Sequence, residues 1–294
     1  MKAVPAKARI ALKNILFATD FSPAADAAAP FATQIARSYG AKVYGVHVNA
    51  LNDYAAVAPE AWTVMVEASE KEAKEQIQRL NEQLNSVEHE VVIGQGNITE
   101  TITNLIKERE IDLVVVGTRG RTKLGKALLG SVAEQILRQA PCPVLTVGPH
   151  VTMELPREPG SREILYATDL AAEFPAAAPY AISLAQENQA HLILLHVIEN
   201  RKTGELVSPS EVVDSKMRKL RQLVPPGAEL WCQPGCCVEP GAPAERILTV
   251  AKRLHTDLIV LGARPAKGLA THLDMGTVHK VVSQATCPVL TVRG

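Results

Sequence analysis

The chain has no surplus charge: its 31 Lys and Arg residues meet 31 Asp and Glu residues, for a formal net charge of zero. Without a global field there is no electrostatic case for a nucleic-acid or anionic-membrane partner. The chain also lacks any apolar run near the length of a membrane span. Between Met1 and Lys13 only Ile10-Ala11-Leu12 is apolar, too little for a secretory signal. Five cysteines, an odd number, do not make a disulfide framework, so a reducing cytoplasm is the expected location. Cys232, Cys236 and Cys237 fit no common zinc spacing and read as buried or incidental thiols; His272 with His279 makes no stronger metal case. Phosphoryl transfer needs a metal holder and a group that orients the nucleophile. There is no Gly-x4-Gly-Lys-Ser/Thr loop, no second-carboxylate metal motif and no Ser-His-Asp set that falls in one crevice. Binding without efficient turnover is therefore expected, not an enzyme.

What is present centres on Gly117-Thr118-Arg119-Gly120, followed after nine residues by Gly130-Ser131. The preceding Ile111-Asp112-Leu113-Val114-Val115-Val116 is apolar enough for a strand buried on both faces. Ser131 to Leu137 reads as the first turns of a helix. Glycine lets backbone approach a ligand, and a helix start offers unpaired N–H groups and the positive end of a dipole. Arg119, Arg121, Lys123 and Lys126 add charge between the glycines. Together these read as a phosphate cradle.

A long internal repeat organises the whole. Lys13 to Asp20 (KNILFATD) returns as Arg162 to Asp169 (REILYATD), an offset of 149, and His47-Val48 returns as His196-Val197. Asp112 to Gly117 answers Asp257 to Gly262, and Cys142 to Val147 answers Cys287 to Val292. A period this long marks a duplicated domain. We expect one domain over 1–148, a second over 162–294, and a Pro- and Gly-bearing linker over 149–161. Within the first half, strands over 15–19, 42–48, 89–93, 111–116 and 144–147 alternate with helices over 24–39, about 59–84, 98–109 and after Gly130. Ser208 to Glu211 opens the matching helix of the second half. Such alternation implies an α/β fold of two tandem, doubly wound, five-stranded parallel sheets. By analogy the strand order is 3-2-1-4-5, Rossmann-like, which puts Asp20 and Gly117 at one switch-point crevice.

In Ala18-Thr19-Asp20, the His47-Val48 strand end and Gly117-x2-Gly120-x9-Gly130-Ser131, the chain resembles the universal stress protein family, in its tandem two-domain form. The resemblance implies an adenine nucleotide alpha hydrolase-like fold, with ATP bound with or without Mg²⁺ and a regulatory role in stress survival. It implies that Asp20 accepts from adenine and that backbone groups of Val48 face the base. Gly117 and Gly120 would line ribose and phosphates, with Arg119 beside them, and Gly130, Ser131 and Val132 would hold phosphate oxygens. Asp20 has a second reading, as N-cap of the helix beginning near Pro23. His47 and His196 read as packing or backbone-bonding residues, Cys142 and Cys287 as packing residues. The run from Glu67 to Glu82 reads as the wet face of an amphipathic helix, Glu72 and Gln76 opposing Ile77, Leu80 and Leu84.

The second half departs from the glycine pattern. Pro265 stands where a second glycine belongs, Gly262 to Gly276 is one residue longer than Gly117 to Gly130, and Asp274 precedes Gly276. Proline has no N–H to offer a phosphate, and a carboxylate repels one. One competent nucleotide site per chain is expected. A slow ATPase and a scaffold binding a partner or another small ligand stand as alternatives. The apolar last strands of the two halves would be exposed edges if left alone. Their mutual pairing across a pseudo-two-fold, an intrachain pseudo-dimer, is expected, and homodimerisation of the whole chain stays open.

Overall fold

The computed structural model of the chain describes residues 10–49, 62–118, 129–151, 161–170, 176–199, 209–228, 234–263 and 275–293, and of residues 62–69, 209 and 275 the backbone alone. Short runs of Val, Ile and Leu become strands covered on both faces, as β-branched side chains favour. In the first half these are β1 (Asn14–Ala18), β2 (Lys42–Asn49), β3 (His89–Gln95), β4 (Leu113–Gly117) and β5 (Val144–Val147). Every residue of β4 and β5 is buried. All neighbours are parallel, in the order β3-β2-β1-β4-β5. The crossovers carry α1 (Pro23–Asp26), α2 (Ala29–Tyr39), α3 (Trp62–Leu84), α4 (Ile98–Glu108) and α5 (Ser131–Gln139).

The second half repeats the scheme with β6 (Glu163–Ala167), α6 (Ala177–Glu187), β7 (His191–Ile198), α7 (Pro209–Arg221) and β8 (Pro234–Pro240). It is completed by α8 (Pro243–Arg253), β9 (Leu258–Ala263), α9 (Met275–Gln284) and β10 (Val289–Arg293). Its order is β8-β7-β6-β9-β10, again parallel, so each half has the expected 3-2-1-4-5 winding. The chain divides into two compact units, Ala11–Val147 and a second that joins Gly148–Gly294 to Met1–Ile10. Within that second unit the Ile10 N–H donates to Ser183 Oγ of α6 at 3.0 Å.

Three sequence expectations need correction. The single helix over 24–39 is broken into α1 and α2, because Pro30 lacks an N–H and its ring crowds the carbonyl four residues back, at Asp26, where α1 stops. The cap of α1 is not Asp20 but Ser22, whose Oγ accepts from the Ala25 N–H at 3.3 Å. In α3 the buried stripe is Gln76, Leu80 and Leu84, while Ile77 is 40% exposed. Gln76, assigned by polarity to the wet face, is inside because a polar partner waits there.

Other local expectations hold. Gly40 closes α2 in the left-handed conformation, φ 64°, and Asn97 caps α4 by accepting from the Glu100 N–H at 3.1 Å. The repeated aspartates before β4 and β9 have a structural duty. Asp112 Oδ2 accepts from the Lys13 and Asn14 N–H groups at 2.7 and 3.0 Å, and Asp257 Oδ2 from the Glu163 N–H at 2.8 Å. Each carboxylate ties the start of the first strand to the strand beside it.

Candidate functional site

The winding reverses between β1 and β4, so the two loops that leave their carboxyl ends part and open a crevice. Thr19 is stapled to β2 through both backbone groups: its N–H donates to Val46 O at 2.9 Å and its carbonyl accepts from His47 Nδ1 at 2.7 Å. A carbonyl only accepts, so the Nδ1 of His47 carries a proton. Beyond Thr19 the chain turns sharply. The Phe21 N–H donates to Thr19 Oγ1 at 2.9 Å, and the Ser22 N–H to Asp20 Oδ1 at 3.0 Å. Phe21 sits at φ 58°, a left-handed conformation costly for a bulky side chain. Leu170 takes φ 57° at the equivalent place in the second half.

Val48 sits near the end of β2. In this strand Val46 O accepts from the β1 side, whereas Asn49 O accepts from Gly96, after β3. Peptide groups alternate along a strand, so the N–H and C=O of Val48 point to the β1 side, past the residue where β1 ends.

On the far wall, Thr118 extends β4 by donating its N–H to Val147 O at 3.0 Å. Its carbonyl accepts from the Gly130 N–H at 2.8 Å. That bond sets the start of α5 beside the end of β4, although twelve positions of sequence separate the two residues. Gly130 is the N-cap, with φ −63° and ψ 144°, and has no side chain to offer the first turn. Ser131 is exposed and Val132 half-buried. Glu134, the acidic residue nearest this end, is held by Arg138 at 2.8 Å, which blunts its charge. Thr118 is 1% exposed, and its Oγ1 has no hydrogen-bond partner among the described residues.

Gly117 is explained by packing. A Cβ there would lie 2.6 Å from Ala24 O and 2.9 Å from Ala25 N, so only glycine lets α1 backbone rest on β4. Among the described residues, a Cβ at Gly262, its counterpart, would meet nothing nearer than Ala177 Cβ at 3.9 Å.

The structure thus brings Asp20, Val48 and Gly117 to the carboxyl ends of adjacent strands of one unit, and sets Gly130, Ser131 and Val132, at the amino end of α5, beside the end of β4. Arg119 and Gly120, with the basic residues through Lys126, lie outside the described residues, as do Pro265 and Asp274. Sequence reasoning passed over Thr118, Asn49 and Gln76. A Thr inside a glycine motif carries no signal of its own, and the two amides become legible only once β2 and α3 are adjacent. In the second unit His196 Nδ1 donates to Thr168 O at 2.9 Å, as in the first. Burial pushes the His196 pKa down, with Lys216 and Lys219 of α7 adding to the effect. Burial pushes the thiols of Cys142 and Cys287 up to about 12, in keeping with inert packing residues. α9 begins at Met275, so Gly276 falls inside its first turn and not at the cap position that Gly130 holds.

Comparison with known proteins agrees with this architecture. The model of the universal stress protein family matches the chain twice, over residues 11–148 and 160–293. A universal stress protein of Methanocaldococcus jannaschii is 31% identical over 138 residues, covering 46% of this chain and 81% of the relative. One of Mycolicibacterium smegmatis is 26% identical over 295 residues, 95% of this chain and 97% of the relative. Among solved structures, a universal stress protein from Archaeoglobus fulgidus superposes with a TM-score of 0.70 at 20% identity, covering 95% of this chain and 98% of that one.

Proposed function

Because the chain belongs to the universal stress protein family, by a match in both halves, we propose that its first unit binds ATP and acts as a regulatory module of a cytoplasmic stress response. The observation that carries this reading is the Gly130 N–H to Thr118 O bond, which presents a helix start with no side-chain cap among the described residues at the mouth of the switch-point crevice. Ser131 and Val132 would hold phosphate oxygens through their N–H groups, beside Gly130, to which the sequence reading also gives this duty but whose own N–H is taken by Thr118 O. Arg119 and Gly120 would complete the phosphate side. Asp20 and the Val48 backbone would take the base. A triphosphate brings a dispersed negative charge that a helix dipole and backbone N–H groups suit, with or without Mg²⁺. The buried Thr118 hydroxyl, with no partner among the described residues, is a polar atom that a ligand at this wall would satisfy. Occupancy would select one conformation of the basic segment between the glycines and change how the protein associates with others. Turnover is not part of the reading. Steady phosphate release abolished by Gly130→Asp would replace it with a slow ATPase.

The second unit, with Pro265 in place of a glycine and Gly276 inside its helix, is read as a partner surface that takes no nucleotide. The test is mass spectrometry of nucleotide released on denaturing the freshly purified protein, with titration by ATP. About one adenine nucleotide per chain is expected; two equivalent sites would overturn the asymmetry, and none would leave the scaffold. Gly130→Asp is the control. Asp is a favoured N-cap, so the helix should persist, while its carboxylate opposes phosphate and abolishes binding.

A further inference from the structure

A polar chain runs inward from the surface of α3 to the turn that carries Asp20. Glu72 Oε1 accepts from Gln76 Nε2 at 3.1 Å. Gln76 and Asn49 exchange amide contacts, Asn49 Nδ2 to Gln76 Oε1 at 3.3 Å and Gln76 Nε2 to Asn49 Oδ1 at 3.4 Å. Asn49 Oδ1 stands 3.0 Å from His47 Nε2, and His47 Nδ1 donates to Thr19 O at 2.7 Å. Thr19, His47 and Gln76 are 7%, 5% and 6% exposed, so this is a core feature and not a surface tangle. From the outer side α3 grips the same turn again. The Arg79 guanidinium lies 5.0 Å from the centroid of the Phe21 ring and pairs with Asp26 at 2.5 Å, and Phe21 in turn packs on His47 with centroids 4.7 Å apart.

The second half supplies a natural control. It keeps the ring and its first contact, His196 Nδ1 to Thr168 O, and keeps the left-handed residue, Leu170. The place of Asn49 is taken by Ile198, and α7 brings Lys216 and Lys219 within electrostatic reach of the ring where α3 brings Gln76. Among the described residues, the strut beyond the histidine is therefore found only in the half that carries the full glycine signature. A residue held in a left-handed conformation stays there only when its surroundings over-determine it.

Resting on the nucleotide reading above, we infer that Asn49 and Gln76 are positioning residues for the base side of the pocket: through His47 they brace the Thr19 carbonyl, and so the Asp20 turn, against α3. The amide of Asn49 suits this duty because it meets the ring nitrogen as acceptor or, turned over, as donor.

The test compares the full chain with Asn49→Ile, the residue of the second half. ATP affinity is read by calorimetry, and amide exchange of Phe21, Ser22 and Leu170 by NMR on the ligand-free protein. Asn49→Ile should weaken ATP by about tenfold or more and speed exchange at Phe21 and Ser22, while Leu170, the internal control for folding, stays unchanged. Unchanged ATP affinity in Asn49→Ile overturns the inference. If the parent chain itself takes up no ATP, the nucleotide reading falls. Exchange then decides the strut alone, and unaltered Phe21 and Ser22 amides in Asn49→Ile would sink it.

Discussion

Two glycines of the same repeat position have different reasons to exist. Gly117 is the only residue type that lets the backbone of α1 approach β4, since an added Cβ would strike Ala24 O at 2.6 Å. Backbone cannot swing aside as a flexible side chain does. Gly117→Ala should therefore destabilise the first unit by about 1–3 kcal/mol, the range for overpacking a tight site. Gly262→Ala, at an exposed position whose nearest described neighbour is 3.9 Å away, should change stability by no more than about 0.5 kcal/mol. Urea denaturation of the two variants checks this, and equal effects would remove the packing account. The same comparison shows that Gly117 is required with or without a ligand, so the weight of the nucleotide reading rests on Gly130. The phenol of Tyr166 makes a related point. It replaces the buried Phe17 of the first half, and its burial pushes the hydroxyl up to about 12.

Among the elements, the starts of β1 and β6 are fixed by a carboxylate from the neighbouring strand. Asp112 accepts from the N–H groups of Lys13 and Asn14, and Asp257 from that of Glu163. A carboxylate accepting from N–H is worth more than a neutral hydrogen bond, and its loss leaves the donors to water or to nothing. Asp112→Ala should cost about 1–2 kcal/mol, as read from the chemical denaturation midpoint. An unmoved midpoint would mean that these two bonds do not hold the start of β1. Helix α3 shows how one element serves two purposes. Leu80 and Leu84 seat it on the sheet, and Gln76, on the same stripe, reaches the buried amide of Asn49.

For the whole molecule, a ligand that binds one folded unit stabilises that unit by mass action and leaves the other untouched. ATP at about a hundredfold excess over its dissociation constant should slow exchange of core amides in β1, β2 and β4 by an amount equivalent to about 2.7 kcal/mol. Core amides of β6, β7 and β9 should be unmoved. Hydrogen exchange with mass spectrometry reads both sets at once, and equal protection of the two would refute the one-site chain.

The sequence by itself determined the duplication and the alternation of strands with helices, and hence a parallel five-stranded winding in each half; the order 3-2-1-4-5 comes by analogy and is decided by the strand pairing. Duplication and alternation rest on a long repeat or a local period, and neither needs distant residues to be brought together. It also marked the glycine-bounded helix start, because glycine type and spacing are local properties. Only the tertiary structure decided which cap α1 uses, why Gly117 cannot be replaced, and that Gln76 points inward. Those depend on which backbone passes within 3 Å of which atom and on a polar partner supplied 27 residues away. A polar side chain reads as exposed until the fold places a second polar side chain against it, and hydrophobic periodicity carries no record of that meeting.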